Sequence, residues 1–374
     1  MLNKNFIATI STVILLASCS HTEKIIPSSK FLHFKMDNSP SVGKTISGQD
    51  IFLGGFSGLI FEKESGGSYY FKTITDRGPN GWSEGNERPF LIPEFSPQIV
   101  SLKTDLASMK LEVVETMPLK QKNGKPLTGL PNKREEENPT DLYGLMYSID
   151  SNGLDTESLV KDQDGSFWVG EEYAPSIVHF DQSGKMIKRL NPGFELPKIY
   201  LERKPNRGFE GVAVYENHVW GILQSPLPKE EGVARIVEFD TETNRSTAEY
   251  FYPFEKGNEK IGDLYAIGPK SFIVLEQNGK IGKDSSKLVF KFTINESDKK
   301  VVKKLIADLK STPFNDVEKV EGLTMINSRQ IALCLDNDFQ ISGKTNRETG
   351  ITPLNKLSNQ ILIINLEEDL ISKR

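Results

Sequence analysis

The chain has 374 residues, 26% of them charged and 37% hydrophobic, with a formal net charge of −5. That length suits one large β domain or two smaller ones, and no basic stretch is dense enough to follow a nucleic-acid backbone. Two cysteines and four histidines exclude a disulfide framework and argue against a histidine-rich zinc site.

At the N-terminus, Lys4 precedes an apolar run from Phe6 to Leu16. The run is shorter than the about 20 residues that cross a bilayer. A charged start, an apolar stretch and then small residues follow the order of a secretory signal. Leu16-Ala17-Ser18-Cys19 resembles the lipobox of bacterial lipoproteins. The resemblance implies acylation of Cys19, which becomes the first mature residue and makes the membrane a partner through its lipid. Ser20, where an inner-membrane lipoprotein commonly has Asp, points to the outer membrane, facing the periplasm. The expected organisation is a signal peptide over 1–18, a polar tether over 19–30 and one folded domain over 31–374.

From there on, short β-rich runs bounded by Gly, Asn, Asp and Pro replace helical periodicity, and they repeat in groups of four. The first group is Ser57–Phe61, Tyr69–Ile74, Gln98–Leu102 and Leu111–Val114. The second is Glu157–Val160, Ser166–Gly170, Ser176–Phe180 and Lys185–Lys188. The third is Phe209–Tyr215, His218–Gln224, Ala234–Phe239 and Thr247–Tyr252. The fourth is Asp263–Ile267, Ser271–Leu275, Lys287–Phe292 and Val301–Ile306. The last has Glu321–Met325, Gln330–Leu335 and Asn359–Asn365, and Phe31–Lys35 is available as its missing fourth strand.

Four-stranded units repeated in this way predict an all-β propeller. Five blades are counted, with the ring closed by strands from both termini. The Pro-, Asn- and Glu-rich segment from Gln121 to Gly153 reads as a long loop with room for a sixth. A β-sandwich would not repeat at a period of about 55 residues. Cys334, inside the apolar run Ile331–Leu335, is expected to be a buried strand thiol.

Acidic residues recur at fixed places in the repeat. Ser57, Glu157, Glu210, Asp263 and Glu321 begin the first strands. Asp76, Glu171 with Glu172, Gln224, Glu276 and Asp336 end the second strands. First and second strands are antiparallel neighbours, so these positions meet at one rim, which Asp155 and Asp338 are close enough to join. The expected metal ligands are therefore Asp76, Asp155, Glu157, Glu171, Glu172, Glu210, Asp263, Glu276, Glu321, Asp336 and Asp338. Crowded carboxylates raise one another's pKa. Ca²⁺, which takes 6–8 oxygen ligands, would compensate them, and so would ion pairs to Arg77 and Arg207.

Other motifs carry less. Asp162-Gln-Asp164-Gly165 has its glycine too early for a calcium-binding EF-hand loop and reads as a hairpin turn. Gly54-Gly-Phe-Ser57-Gly58 lacks the spacing of a nucleophile elbow. No histidine falls on the rim, and no phosphate-binding glycine loop or dinucleotide fingerprint is present.

Gly55-Phe-Ser-Gly-Leu59, Thr75-Asp-Arg-Gly-Pro79, Asp164-Gly-Ser-Phe-Trp-Val-Gly-Glu-Glu-Tyr173, Asn206-Arg-Gly-Phe-Glu-Gly211, Val320-Glu-Gly-Leu323 and Asp336-Asn-Asp-Phe339 together resemble the phytase-like family, described as having esterase-like activity of phytase. The resemblance implies a propeller acting on small phosphate esters or related esters. Leu154-Asp-Thr-Glu157-Ser and Gln277 depart from the family's pattern. On this reading Glu210, Arg207 and Arg77 are the expected catalytic residues. The arginines, with Lys204 nearby, would clamp phosphate oxygens while cations on the rim activate water. A binding or scaffold lipoprotein with a structural calcium ion, and a metal-dependent lactonase or esterase, are the rival expectations.

Overall fold

The computed structural model describes residues 31–132 and 137–371. The expected leader, Cys19 and the tether lie outside the described residues. Among those described, strands dominate, and no helix is long and apolar enough to cross a membrane.

Three sheets have four strands each, ordered as in the chain. They are Thr156–Lys161 to Met186–Leu190, Phe209–Tyr215 to Arg245–Pro253, and Lys260–Gly268 to Val301–Asp308. A further sheet has eight strands and joins two groups of four. One group is Phe56–Ser65, Ser68–Thr75, Gln98–Asp105 and Lys110–Pro118. The other is Lys319–Asn327, Gln330–Asp336, Gln360–Asn365 and Phe31–Lys35. The join is narrow, a single parallel pair between Lys35 and Lys110. Phe31–Lys35 runs antiparallel to Gln360–Asn365, with Phe31 opposite Ile364. The two ends of the chain thus share one sheet.

The first strand of each group lies innermost. Phe56–Ser65 packs against Thr156–Lys161, which packs against Phe209–Tyr215. The contacts continue to Lys260–Gly268, to Lys319–Asn327 and back to Phe56–Ser65, closing a ring. This is a β-propeller architecture. Strand composition follows position in the ring. Phe272 to Leu275 is an unbroken buried apolar run, as expected where sheets cover both faces. In the outermost strand Lys110–Pro118 only Leu111 is buried.

Separate cores fill the gaps between neighbouring sheets. Ile99, Leu159 and Val178 meet in one, and Trp168, Phe209 and Phe239 in the next. Trp220, Tyr252 and Phe272 follow, then Leu275, Leu333 and Leu362. Phe71, Leu102 and Cys334 fill the gap spanned by the narrow join. Each such buried side chain contributes about 1.5–3 kcal/mol, so face-to-face packing is the main force holding the ring together. Cys334 is fully buried, as expected.

The segment from Gln121 to Gly153 forms no further four-stranded sheet among the described residues. It supplies one short strand, Asn138–Thr140, paired in parallel with Glu87–Pro89. Its many turn-forming residues instead lay it over the rim, where Gly129 comes so close to Arg77 that a Cβ would sit 1.6 Å from the Arg77 carbonyl oxygen. The sequence Asp162–Gly165 is a hairpin turn, with the Gly165 amide donating to the Asp162 carbonyl oxygen at 3.0 Å.

Candidate metal centre at the mouth of the ring

Each innermost strand carries a β-bulge close to its start. In Thr156–Lys161, Thr156 pairs with Glu171 and Ser158 with Gly170, leaving Glu157 as the extra residue. The same offset singles out Glu210 and Glu321. It singles out Gly58 and Gly262 in the remaining two strands. A bulge re-aims the side chain it carries, and here it brings three carboxylates together. At the other two positions the neighbouring inner strand leaves no room. A Cβ on Gly58, whose φ is +67°, would lie 2.3 Å from the Leu159 nitrogen. One on Gly262 would lie 2.4 Å from the Val320 carbonyl oxygen.

The bulge also corrects the expected columns of acids. Asp263 follows the bulged residue, so it matches Ser158, Gly211 and Gly322 rather than Glu157. A shift of one residue sends a side chain to the opposite face. Asp263 accordingly turns between strands, accepting from the Leu264 and Leu323 amides, both at 2.8 Å, and from Ser158 Oγ at 3.1 Å. Glu171 and Glu276 form a second column apart from the cleft, opposite Thr156 and Ile261. Glu171 accepts from the Tyr173 amide, Ser176 Oγ and Asn132 Nδ2. Glu276 accepts from Tyr252 Oη at 2.7 Å, Lys303 Nζ at 3.1 Å, Asn258 Nδ2 and the Glu255 amide. One residue further along, Glu172, Gln224, Gln277 and Asp336 face the cleft.

The remaining acids fall into three groups, each offering oxygens within 4.8 Å of one another: Asp155, Glu157 and Glu172; Glu157, Glu210 and Glu321; Asp76, Asp336 and Asp338. Glu157 belongs to the first two. Ser57 Oγ donates to Glu157 Oε2 at 2.7 Å and lies 3.4 Å from Glu321 Oε2.

The third group already holds a positive charge. Lys319 Nζ lies 2.9 Å from Asp336 Oδ2 and 2.6 Å from Asp338 Oδ1. Asp338 is presented by a left-handed run, with φ of 48°, 52° and 66° at Asp338, Phe339 and Gln340. Backbone of this kind costs on the order of 1–3 kcal/mol per residue and collects at functional sites.

Of the two groups that share Glu157, one has Arg77 3.2 Å from Asp155 and Arg207 3.7 Å from Glu172, whereas Glu157, Glu210 and Glu321 make no ion pair among the described residues. Burial first, and then repulsion from Asp155, Glu210 and Glu321, raises the Glu157 carboxyl well above its ordinary range. Glu210 is raised in the same sense by burial, Glu172 and Glu321. Glu172 is pushed to about 8 by burial and by Asp155. Glu210 Oε2 and Gln224 Oε1 are buried and have no hydrogen-bond partner. A buried oxygen without a donor is costly, and a hard cation needs such oxygens. The donor set, all carboxylate and amide oxygen, therefore fits a hard cation.

Arg77 is placed otherwise than expected of a free phosphate clamp. Its guanidinium is ion-paired with Glu137 and Asp155, each at 3.2 Å. It also donates to Asn206 Oδ1 and Tyr173 Oη. Glu137 in turn pairs with Arg88. Arg207 is more open: its Nη1 donates to the Asn206 carbonyl oxygen and lies 3.7 Å from Glu172 Oε1. Arg77, Arg207, Lys260, Lys319 and Trp82 join the acids in lining a cleft of about 440 Å³, which no histidine lines. A groove of about 520 Å³ on the outer flank, beside Val301–Asp308, has no acid group of this kind.

Glu137 and Lys319 were absent from the expected site, and Ser57 was expected at the rim but with no role in it. Lys319 stands two residues before Glu321, and that spacing on a strand signals a shared face. Glu137 comes from the long loop, where no periodicity marks it.

A family model described as "Esterase-like activity of phytase" matches residues 51–339. A protein of Arthroderma benhamiae described as an uncharacterized secreted protein is 24% identical, over 62% of this chain and 60% of its own length. Among solved structures, the catalytic domain of the Coprinopsis cinerea GH62 α-L-arabinofuranosidase aligns with a TM-score of 0.45 and 8% identity, over 90% of this chain and 96% of that one. The α-L-arabinofuranosidase PaAbf62A of Podospora anserina aligns with a TM-score of 0.46 and 9% identity, over 91% and 98%.

Proposed function

The chain belongs to the phytase-like family, and on that premise we propose that it is a hydrolase of phosphate esters or related esters, built on a five-bladed ring and dependent on calcium. One observation carries the proposal: Glu157 is shared by two carboxylate groups beside an unpartnered, buried Glu210 oxygen. Asp155, Glu157, Glu172, Glu210 and Glu321 would hold the cations, with Gln224 adding an amide oxygen. Calcium bound there would neutralise substrate phosphate oxygens and lower the pKa of an attacking water.

The chain's own side chains complete the site. Arg207, partly exposed beside Glu172, is the guanidinium open to a phosphate oxygen. Lys319 is held charged by Asp336 and Asp338, its ammonium raised well above the ordinary lysine range despite burial. It therefore adds fixed positive charge to the cleft and does not act as a proton donor. Arg77 positions Asp155 through their ion pair at 3.2 Å. The expected context is an outer-membrane lipoprotein that faces the periplasm and is anchored through Cys19.

The test is turnover of a phosphomonoester panel by soluble protein lacking residues 1–19, with calcium and with chelator. Calcium-stimulated hydrolysis of at least one ester is expected, and its absence across the panel would refute the proposal. A second reading draws on the full engagement of Arg77: the ion is structural and the cleft binds without turnover. Chelation would then lower the melting temperature while no ester is hydrolysed.

A further inference from the structure

The ring has two unlike faces. All the long connections, 36–55, 76–97, 119–155, 191–208 and 337–359, run at the mouth, beside shorter ones such as 172–175 and 254–259. On the opposite face every connection between strands is a hairpin of two to six residues. Ile46, Trp82, Leu145 and Phe194, exposed and apolar, stand on these long loops, and Ile281 on the mouth connection 278–286; the hairpin turns carry none among the described residues, while Ile187 and Val302 lie just past two of the turns and Ile371 follows the strand that ends on that face.

Phe31 lies on the hairpin face. It opens its strand opposite Ile364, near the end of Gln360–Asn365, and that strand runs away from the mouth. The chain therefore enters the ring on the side away from the acids. Eleven residues separate Phe31 from Cys19, twelve Cα steps with a reach of at most about 43 Å. The ten-residue strand Phe56–Ser65 alone spans about 33 Å. Turning the mouth toward a bilayer would use nearly all of that reach along the ring's flank. Membrane-seated faces carry buried apolar area, and the hairpin turns themselves carry no exposed large apolar side chain among the described residues.

We propose that the acidic mouth faces away from the membrane that holds the Cys19 lipid, and that its substrate is a water-soluble ester and not a bilayer lipid. The substrate half rests on the hydrolase reading; the orientation rests on the anchor and on strand direction.

The test uses the full-length lipidated chain in phosphatidylethanolamine–phosphatidylglycerol vesicles that carry a headgroup acceptor dye. A donor dye is attached through Gln163→Cys, exposed in a hairpin, or through Leu145→Cys, exposed on a long loop. Cys334 stays unlabelled, since burial pushes its thiol far up. Loss of donor emission at Gln163→Cys and its retention at Leu145→Cys is the expected result. The reverse pattern, or equal loss at both, overturns the orientation. Cys19→Ser should release the protein from the vesicles, and continued binding overturns the anchored geometry. A second arm offers one phosphate ester both dissolved and as a vesicle headgroup. Faster turnover of the vesicle form overturns the substrate assignment. Turnover of neither form defeats the hydrolase reading and the substrate half together, while the emission arm still decides the orientation.

Discussion

Ser57 Oγ sits 2.7 Å from Glu157 Oε2, a hydroxyl from one inner strand fixing the carboxylate that two acid groups share. Groups that orient a metal ligand in this way typically contribute 10–100-fold to affinity. Ser57→Ala should therefore weaken calcium binding by roughly 10–100-fold with the fold retained. Glu157→Gln should weaken it at least as much. Calorimetric titration and metal analysis check both, and wild-type affinity in the two variants would sink the shared-ligand geometry.

Acidity should favour the metal-free fold. Burial holds the Glu171 and Glu172 carboxyls at about 8, against about 4.3 in an unfolded chain. Between those values the folded state retains protons that the unfolded state has released. Stability then falls as pH rises through that window. In chelator, the melting temperature should drop between about pH 5 and about pH 8. Calcium beside Glu172 should flatten that drop, leaving the part due to Glu171, which lies outside the cation groups.

Asp263 separates structure from chemistry. It satisfies two backbone amides and Ser158 Oγ, and each donor left without its acceptor costs about 1–3 kcal/mol. Asp263→Ala should lower the unfolding free energy by several such increments while metal content stays at the wild-type level. A variant that lost its calcium without losing stability would reverse the assignment.

The two arginines should part company. Arg77, paired on several sides, is expected to be needed for stability, and Arg77→Ala should lower the melting temperature. Arg207→Ala should leave the melting temperature near wild type and reduce kcat/KM on phosphate esters by roughly tenfold or more, the effect of about 1.4 kcal/mol. Thermal melts beside steady-state kinetics distinguish them.

Cys334 should be silent in the folded protein. Reactivity follows the thiolate, and burial suppresses that form here. A thiol reagent should modify Cys334 only at the rate of unfolding, as read by mass spectrometry across a denaturant series.

The ring was legible because its cause is local. Apolar runs and turn residues recur at the scale of one four-stranded unit, and Phe31–Lys35 was the strand left over to complete the last. The acid columns were legible only to within one residue, and on a strand one residue is the difference between two faces. Glu-Gly at 210–211 and again at 321–322 was the available trace of the bulge. Gly262 before Asp263 showed the same offset with the acid moved one place on. Glu276 and Gln277 were misjudged together for this reason: the glutamine faces the cleft and the glutamate does not. Glu137 depends on how a long loop lies over the rim, and short-range pattern does not encode that.

The pairing of Phe31 with Ile364 also bears on biosynthesis. Synthesis proceeds from the N-terminus, and units fold as they emerge. The other strand groups are assembled from neighbouring sequence, but this one waits for residues 360–365. The ring therefore stays open, and the chain remains able to be threaded, until Gln360–Asn365 has been made. A stop codon or proteolytic cut before residue 360 would remove the strand against which Phe31–Lys35 pairs, leaving an early segment with no place to dock.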